Sequence, residues 1–165
     1  MPNVTVDEAF KAAIGAERAA EDFFHGLEAK FSHNKDVSRL WKEYAEEEAM
    51  HARWLETLKA KLGQEELSKL VDEHTMQLLD IVAKISVEKT LGKVNDLEDA
   101  YELVNEIENG ETNAIFRFLI DNFEADEKMR DFLRKQLNEH VGKLTIDLPP
   151  QYRGASTRRK IKALT

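Results

Sequence analysis

Glu48 stands three residues before His51 in the run EEEAMHARWLETL, Glu46 to Leu58. On a helix that step puts both side chains on one face, where a carboxylate and an imidazole reach a single metal centre. Tyr44, Leu55 and Leu58 fall on the same face, so the pair sits along the side an amphipathic helix buries. At about 100° per residue only one of Glu46, Glu47 and Glu48 points straight inward, and the spacing from Tyr44 to His51 selects Glu48. The pattern recurs. Glu17 lies between Ala13 and Ala20, Glu108 and Glu111 interrupt a stripe running from Leu97 to Phe118, and His140 follows Leu133 and Leu137.

A lone buried carboxylate costs several kcal/mol unless it is neutralised or paired. Carboxylates converging from separate helices repel one another unless a cation lies between them. A divalent metal resolves that conflict. Mixed carboxylate and imidazole donors suit iron or manganese, with zinc as a third choice. Blander readings stand beside this one, because Glu-x-x-His arises by chance in a Glu-rich chain with five histidines. His140 alone, and His74, each also read as hydrogen-bonded core histidines. His25 and His33 read as surface residues. Tyr44 and Trp54 read as packing, with Tyr44 one turn before Glu48.

Helical periodicity dominates and strand alternation is nearly absent, which predicts an all-α domain. The first helix opens on the capping pattern Thr5-x-x-Glu8 and buries Val6, Phe10, Ala13, Glu17, Ala20, Phe24, Leu27 and Phe31. SHNK is a short turn, with Asp36 expected to cap a second helix that closes at Gly63. A third begins near Asn95 with the stripe Leu97, Tyr101, Val104, Glu108, Glu111, Ile115 and Phe118. A turn near Asp121 and Asn122 leads to a fourth, with Met129, Leu133, Leu137, His140 and Leu144 in line, ended by Pro149 and Pro150. Residues 64–95 are too many for a plain loop and carry their own stripe of Leu67, Leu70, His74, Leu78, Ile81 and Ile85. Two antiparallel hairpins joined by one long helical crossover make the ferritin-like variant of the four-helix bundle. Residues 1–148 read as that bundle and 149–165 as a basic extension.

Composition narrows the function. The chain has 165 residues, long enough for one domain with a proper core. No apolar run approaches the roughly 18 residues of a membrane span, and MPNVTVDEAFK lacks a secretory pattern, so a cytoplasmic location without a membrane partner is expected. With no cysteine, disulfides, thiol nucleophiles and Cys-ligated metals are excluded. Net charge is −8, divided into +5 for residues 148–165 and −13 for the rest. An acidic body argues against nucleic acid as a partner.

At these residues the chain resembles the ferritin-like di-iron superfamily, and within it the rubrerythrin-like branch. GAERAAEDFF is similar to that family's first-helix Glu motif and EEEAMHARWL to its Glu-x-x-His helix. Fainter similarity continues through NGETNAIFRFL and NEHVGKL, covering roughly residues 7–145. An internal repeat accompanies it: Ala20 and Phe24 follow Glu17 as Ala114 and Phe118 follow Glu111, and Leu55 follows His51 as Leu144 follows His140. The resemblance implies Glu17, Glu48 and His51 as ligands of one half-site, and Glu111 and His140 as ligands of the other. Two departures matter. Leu137 stands where the family's fourth-helix carboxylate would be, and the register of the third helix makes Glu108 an alternative neighbour for His140. A second alignment of the fourth helix puts Asp126 and Met129 at the motif.

The resemblance implies a non-haem iron protein that reacts with peroxide or oxygen in its bundle core, as a di-iron peroxide reductase or a ferroxidase-type oxidoreductase. Two irons are expected, with a single iron as the alternative, in a homo-oligomer of two or more chains. Rubrerythrins proper also carry a rubredoxin-like domain with four-cysteine iron. This chain cannot hold that centre, so redox turnover would need an external electron donor. The alternatives are iron sequestration without turnover, and a degenerate scaffold acting through protein–protein interaction.

Overall fold

A computed structural model describes residues 4–83, 86–108 and 111–147, the last stretch with side chains for residues 113–143. Ile85, the side chains of Glu111 and Leu144, Pro149, Pro150 and the basic extension 149–165 lie outside the described residues. The described residues form helices α1 (Val6–Lys30), α2 (Lys35–Lys61), α3 (Gln64–Leu67), α4 (Glu73–Val82), α5 (Val87–Leu91), α6 (Leu97–Glu108), α7 (Glu111–Phe123) and α8 (Glu127–Asp147). They contain no strand. One isolated bridge, Thr5 to Leu70, ties the start of α1 to the connection after α3.

The caps set the registers. Thr5 closes a reciprocal box with Glu8 at the head of α1, as its sequence predicts. α2 is capped by Asn34, whose side chain accepts from Val37 N at 3.3 Å, and not by Asp36. Asp36 lies in the first turn, where its charge still favours the helix dipole, and pairs with Arg39. Asp96, not Asn95, receives the Asp99 N–H ahead of α6. The expected turn at Asp121 and Asn122 falls instead at residues 124–126, after α7 has run on to Phe123. Asn122 stays helical by donating to Phe118 O, and Asp121 is held by Arg134 of α8 at 2.6 Å. Asp126 caps α8, which leaves Met129 outside the seam, 40 % exposed. That removes the alignment placing Asp126 and Met129 at a ligand motif.

Contacts fix the directions. Glu17 meets His51 and Phe24 meets Tyr44, so α1 and α2 run antiparallel. Arg117 meets Asn138 and Asp121 meets Arg134, which sets α7 antiparallel to α8. Trp54 meets Phe132 and Glu47 meets Lys143, which does the same for α2 and α8. Gly26 lets α5 lie against α1, since a β-carbon there would be 2.4 Å from Leu91 Cδ1.

The crossover differs from its predicted register by one residue. Thr75, Leu79 and Val82 are buried, whereas His74, Leu70 and Ile81 are exposed, so His74 is no core histidine. Leu78 and Leu79, like Ile81 and Val82, are adjacent apolar pairs, and either register buries one of each. The third predicted helix is described as α6 and α7 on either side of residues 109–110. Within α7 the buried set is Ile115, Phe116, Leu119 and Ile120, with Phe118 only half-buried.

The core divides in two. One apolar cluster gathers Phe24, Leu27, Trp41, Tyr44, Tyr101 and Val104. The other gathers Phe10, Ala13, Leu55, Phe116, Leu119 and Leu137. Along α1, α2 and α6–α7 the sequence passes from one cluster to the other through residues 17, 48–51 and 108. A polar layer separates the two halves.

Candidate metal centre

That layer consists of Glu17 from α1, Glu48 and His51 from α2, Glu108 from α6 and His140 from α8. None is more than 4 % exposed. Each falls where its helix's apolar stripe would place a leucine, so packing on both sides turns all five inward. Glu48 lies at the middle. Its Oε2 accepts from His51 Nδ1 at 3.1 Å, and its Oε1 lies 2.8 Å from His140 Nε2. Glu17 Oε2 is 3.5 Å from His51 Nδ1, and Glu108 Oε2 is 2.9 Å from His140 Nε2. The two rings meet edge to face, 4.9 Å apart.

Two buried atoms here lack hydrogen-bond partners: Glu17 Oε2 and His140 Nε2. The carboxylates beside Nε2 are close, but neither makes a directed hydrogen bond to it. Buried polar atoms are satisfied in the great majority of cases, so two unpartnered atoms among converging carboxylates and imidazoles leave a place that could hold a cation. Glu48, His51 and His140 can each offer one ligand atom, all within 4.8 Å of one another. Oxygen and imidazole nitrogen in this mixture fit a divalent transition metal.

Protons stand in for that cation in the metal-free protein. Burial works to lower His140, but Glu108, Glu47 and Glu48 outweigh it and push the imidazole up to about 12. Burial likewise opposes the rise of His51, which Glu17 and Glu48 carry to about 9. Glu17 is raised well above its ordinary value, first by burial and then by the Glu48 charge. Glu108 is raised, chiefly by burial. Glu48 moves the other way. Burial would raise it, but its contacts to His140, His51 and Glu17 hold it well below the usual carboxylate range.

The predicted residues Glu17, Glu48, His51, Glu108 and His140 therefore meet in one layer. Glu111 opens α7, with its side chain outside the described residues. Sequence reasoning missed Glu47, which is half-buried and accepts from His140 Nδ1 at 2.5 Å and from Lys143 Nζ at 2.7 Å. Burial would raise this carboxyl, but those two partners lower it. It also missed Asn113, whose side-chain amide donates to the Glu108 carbonyl and lies 3.4 Å from Glu108 Oε2. A second acid flanking an inward one was the available signal for Glu47. Asn113 offered none.

The rubrerythrin family model matches residues 8–139 of the chain. The chain belongs to the rubrerythrin family. The match spans most of the chain, takes in Glu17, Glu48, His51 and Glu108, and ends one residue before His140. No curated protein and no solved structure matches the chain. Family and helices together make this an all-α, ferritin-like bundle with a buried carboxylate and imidazole group that could hold a metal. No described helix is long and apolar enough to cross a membrane.

Proposed function

We propose that this rubrerythrin-family protein binds iron in the polar layer and uses it to reduce peroxide or dioxygen. The observation that carries the reading is His140 Nε2, buried between Glu48 and Glu108 without a hydrogen bond to either. Glu17, Glu48 and His51 would hold one iron, while Glu48, Glu108 and His140 would hold a second. Glu48 is shared, and Glu108 supplies the carboxylate that Leu137 does not. Ferrous iron held there would supply the electrons that reduce the oxidant. The residues themselves bind and orient the metal, and the apolar clusters on either side keep bulk water out. The chain has no cysteine, so electrons for repeated turnover come from an external donor. The same lack favours a second reading, stoichiometric iron storage without turnover.

Anaerobic loading with ferrous iron, desalting and elemental analysis test the proposal, with about two irons per chain expected. Addition of peroxide should then raise absorption in the near-ultraviolet and visible as the ferrous iron is oxidised to ferric. Two irons without a peroxide response would select storage. A folded protein retaining no iron would end both readings.

Glu47 is a positioning residue in this scheme. Accepting from Nδ1 directs Nε2 toward Glu48 and Glu108, and outer carboxylates of this kind contribute about 10- to 100-fold in metal affinity. Glu47→Ala is expected to weaken uptake of the second metal by that factor in zinc titrations while leaving the helical circular dichroism unchanged. Glu47→Asp should restore part of it. Equal loss in both variants, or loss of neither metal, would contradict the role.

A further inference from the structure

A centre this buried must exchange a charged ligand with solvent. The apolar clusters on either side of the polar layer bar that passage, because an ion crossing them sheds its water at a cost of several kcal/mol or more. Between α2 and α8 lies a cleft of about 380 Å³. Met50 and Trp54 of α2 and Gln136 and Lys143 of α8 line it, and His51 and His140 form its floor. Water at liquid density takes roughly 30 Å³ per molecule, so an ion fits here with its hydration shell. The walls set Glu47 and Glu139 against Lys143, and Glu47 holds that ammonium at 2.7 Å. The hollow beside α1 differs. It holds about 240 Å³ lined by Ala12, Ala16, Phe23 and Ile107, and it touches none of the five polar-layer residues.

Gly142 also lines the cleft, inside α8 and short of its last turn. Glycine there costs about 1 kcal/mol relative to alanine, and no backbone constraint asks for it: the residue has no positive φ. Packing does not ask for it either, because a β-carbon at 142 would find no atom within 4 Å. Gly142 is exposed on the cleft wall, so a large side chain introduced there has room to fill the opening.

We propose that the α2/α8 cleft is the inlet through which a hydrated divalent cation reaches the polar layer. The inference rests on the metal-binding reading above. Stopped-flow uptake of cobalt(II), followed by its visible absorption, separates rate from affinity in wild type, Gly142→Ala and Gly142→Phe. Gly142→Ala should behave as wild type. Gly142→Phe should bind and release cobalt at least about tenfold more slowly, with an unchanged dissociation constant and an unchanged final spectrum. An on-rate equal to that of wild type would overturn the inlet.

Because the chain has no native cysteine, Gly142→Cys offers a test that does not depend on folding with a bulky residue. Alkylating that cysteine on the folded protein with a bulky maleimide should slow uptake relative to a small methylthio cap. Equal rates with the two caps would overturn the inlet. A wild type that binds no cobalt would overturn the metal-binding reading, and the inlet with it. A wild type that binds cobalt at a rate indifferent to the block overturns the inlet alone.

Discussion

Glu48→Ala is expected to abolish metal retention and to cost the metal-free protein about 3–5 kcal/mol of stability. Both losses have one origin. Glu48 touches both imidazoles, with one oxygen toward His51 and the other toward His140. Of the carboxylates inside the layer, it is the one held well below the usual range. With metal bound, it is the ligand the two positions share in the proposed arrangement. Without metal, it is the charge facing two imidazoles that are raised to about 9 and about 12. Its removal takes the ionised partner from His51 and leaves His140 only Glu108 and Glu47, and a buried charge short of partners costs more than the pair as a whole contributes.

Urea unfolding of the metal-free variant reads the stability, and elemental analysis after desalting reads the metal. Glu17→Gln is the control. Glu17 is raised well above its ordinary value, so the isosteric amide replaces a carboxyl that burial favours in its neutral form and should leave metal-free stability within about 1 kcal/mol of wild type. Glu17→Gln should nonetheless weaken binding at the Glu17 position. If Glu17→Gln destabilised as much as Glu48→Ala, the assignment of charge within the layer would be wrong. If Glu48→Ala kept wild-type metal content, the shared ligand would be wrong.

The layer was legible in the sequence because it lies on long helices with strong periodicity. Glu17 sits among Ala13, Ala20 and Phe24, Glu48 and His51 among Tyr44 and Leu55, and His140 after Leu133 and Leu137. In each case the apolar neighbours fix the face without knowledge of the partner helix. Where neighbours were ambiguous, the reading slipped. Adjacent pairs such as Leu78 and Leu79 allow two registers, and only packing of α4 on α1 and α7 chose Leu79 and exposed His74. Asp121 and Asn122 have turn-forming side chains, but both are satisfied inside α7, so the helix runs on. Glu108 against Glu111 was undecided because both lie in one stripe. Which of them meets His140 depends on the stagger of α6 against α8, and the structure brings Glu108 to 2.9 Å. Glu47 was hidden for a related reason, since its partners His140 and Lys143 lie on a helix remote in sequence.

Metal uptake at neutral pH is expected to release between about two and three protons per chain. His51 and His140, raised to about 9 and about 12, both carry a proton at pH 7 that a metal must displace. Glu17 adds a third where its raised value keeps it protonated. Titration calorimetry in buffers of different ionisation enthalpy counts the protons directly, and release of fewer than about one would contradict the protonated layer. The sign then fixes how stability depends on pH. A histidine whose folded value exceeds its unfolded value of about 6.5 contributes fully below that pH and loses the contribution as pH rises through the folded value. Metal-free protein should therefore lose stability from about pH 6.5 upward, with the His51 share spent by about 9 and the His140 share falling alongside it and on toward 12. Metal affinity moves the opposite way, because fewer protons compete. The difference in melting temperature between cobalt-loaded and metal-free protein should widen steadily from pH 6 to pH 9. A difference that stayed flat would mean that the imidazoles are neutral in the metal-free fold.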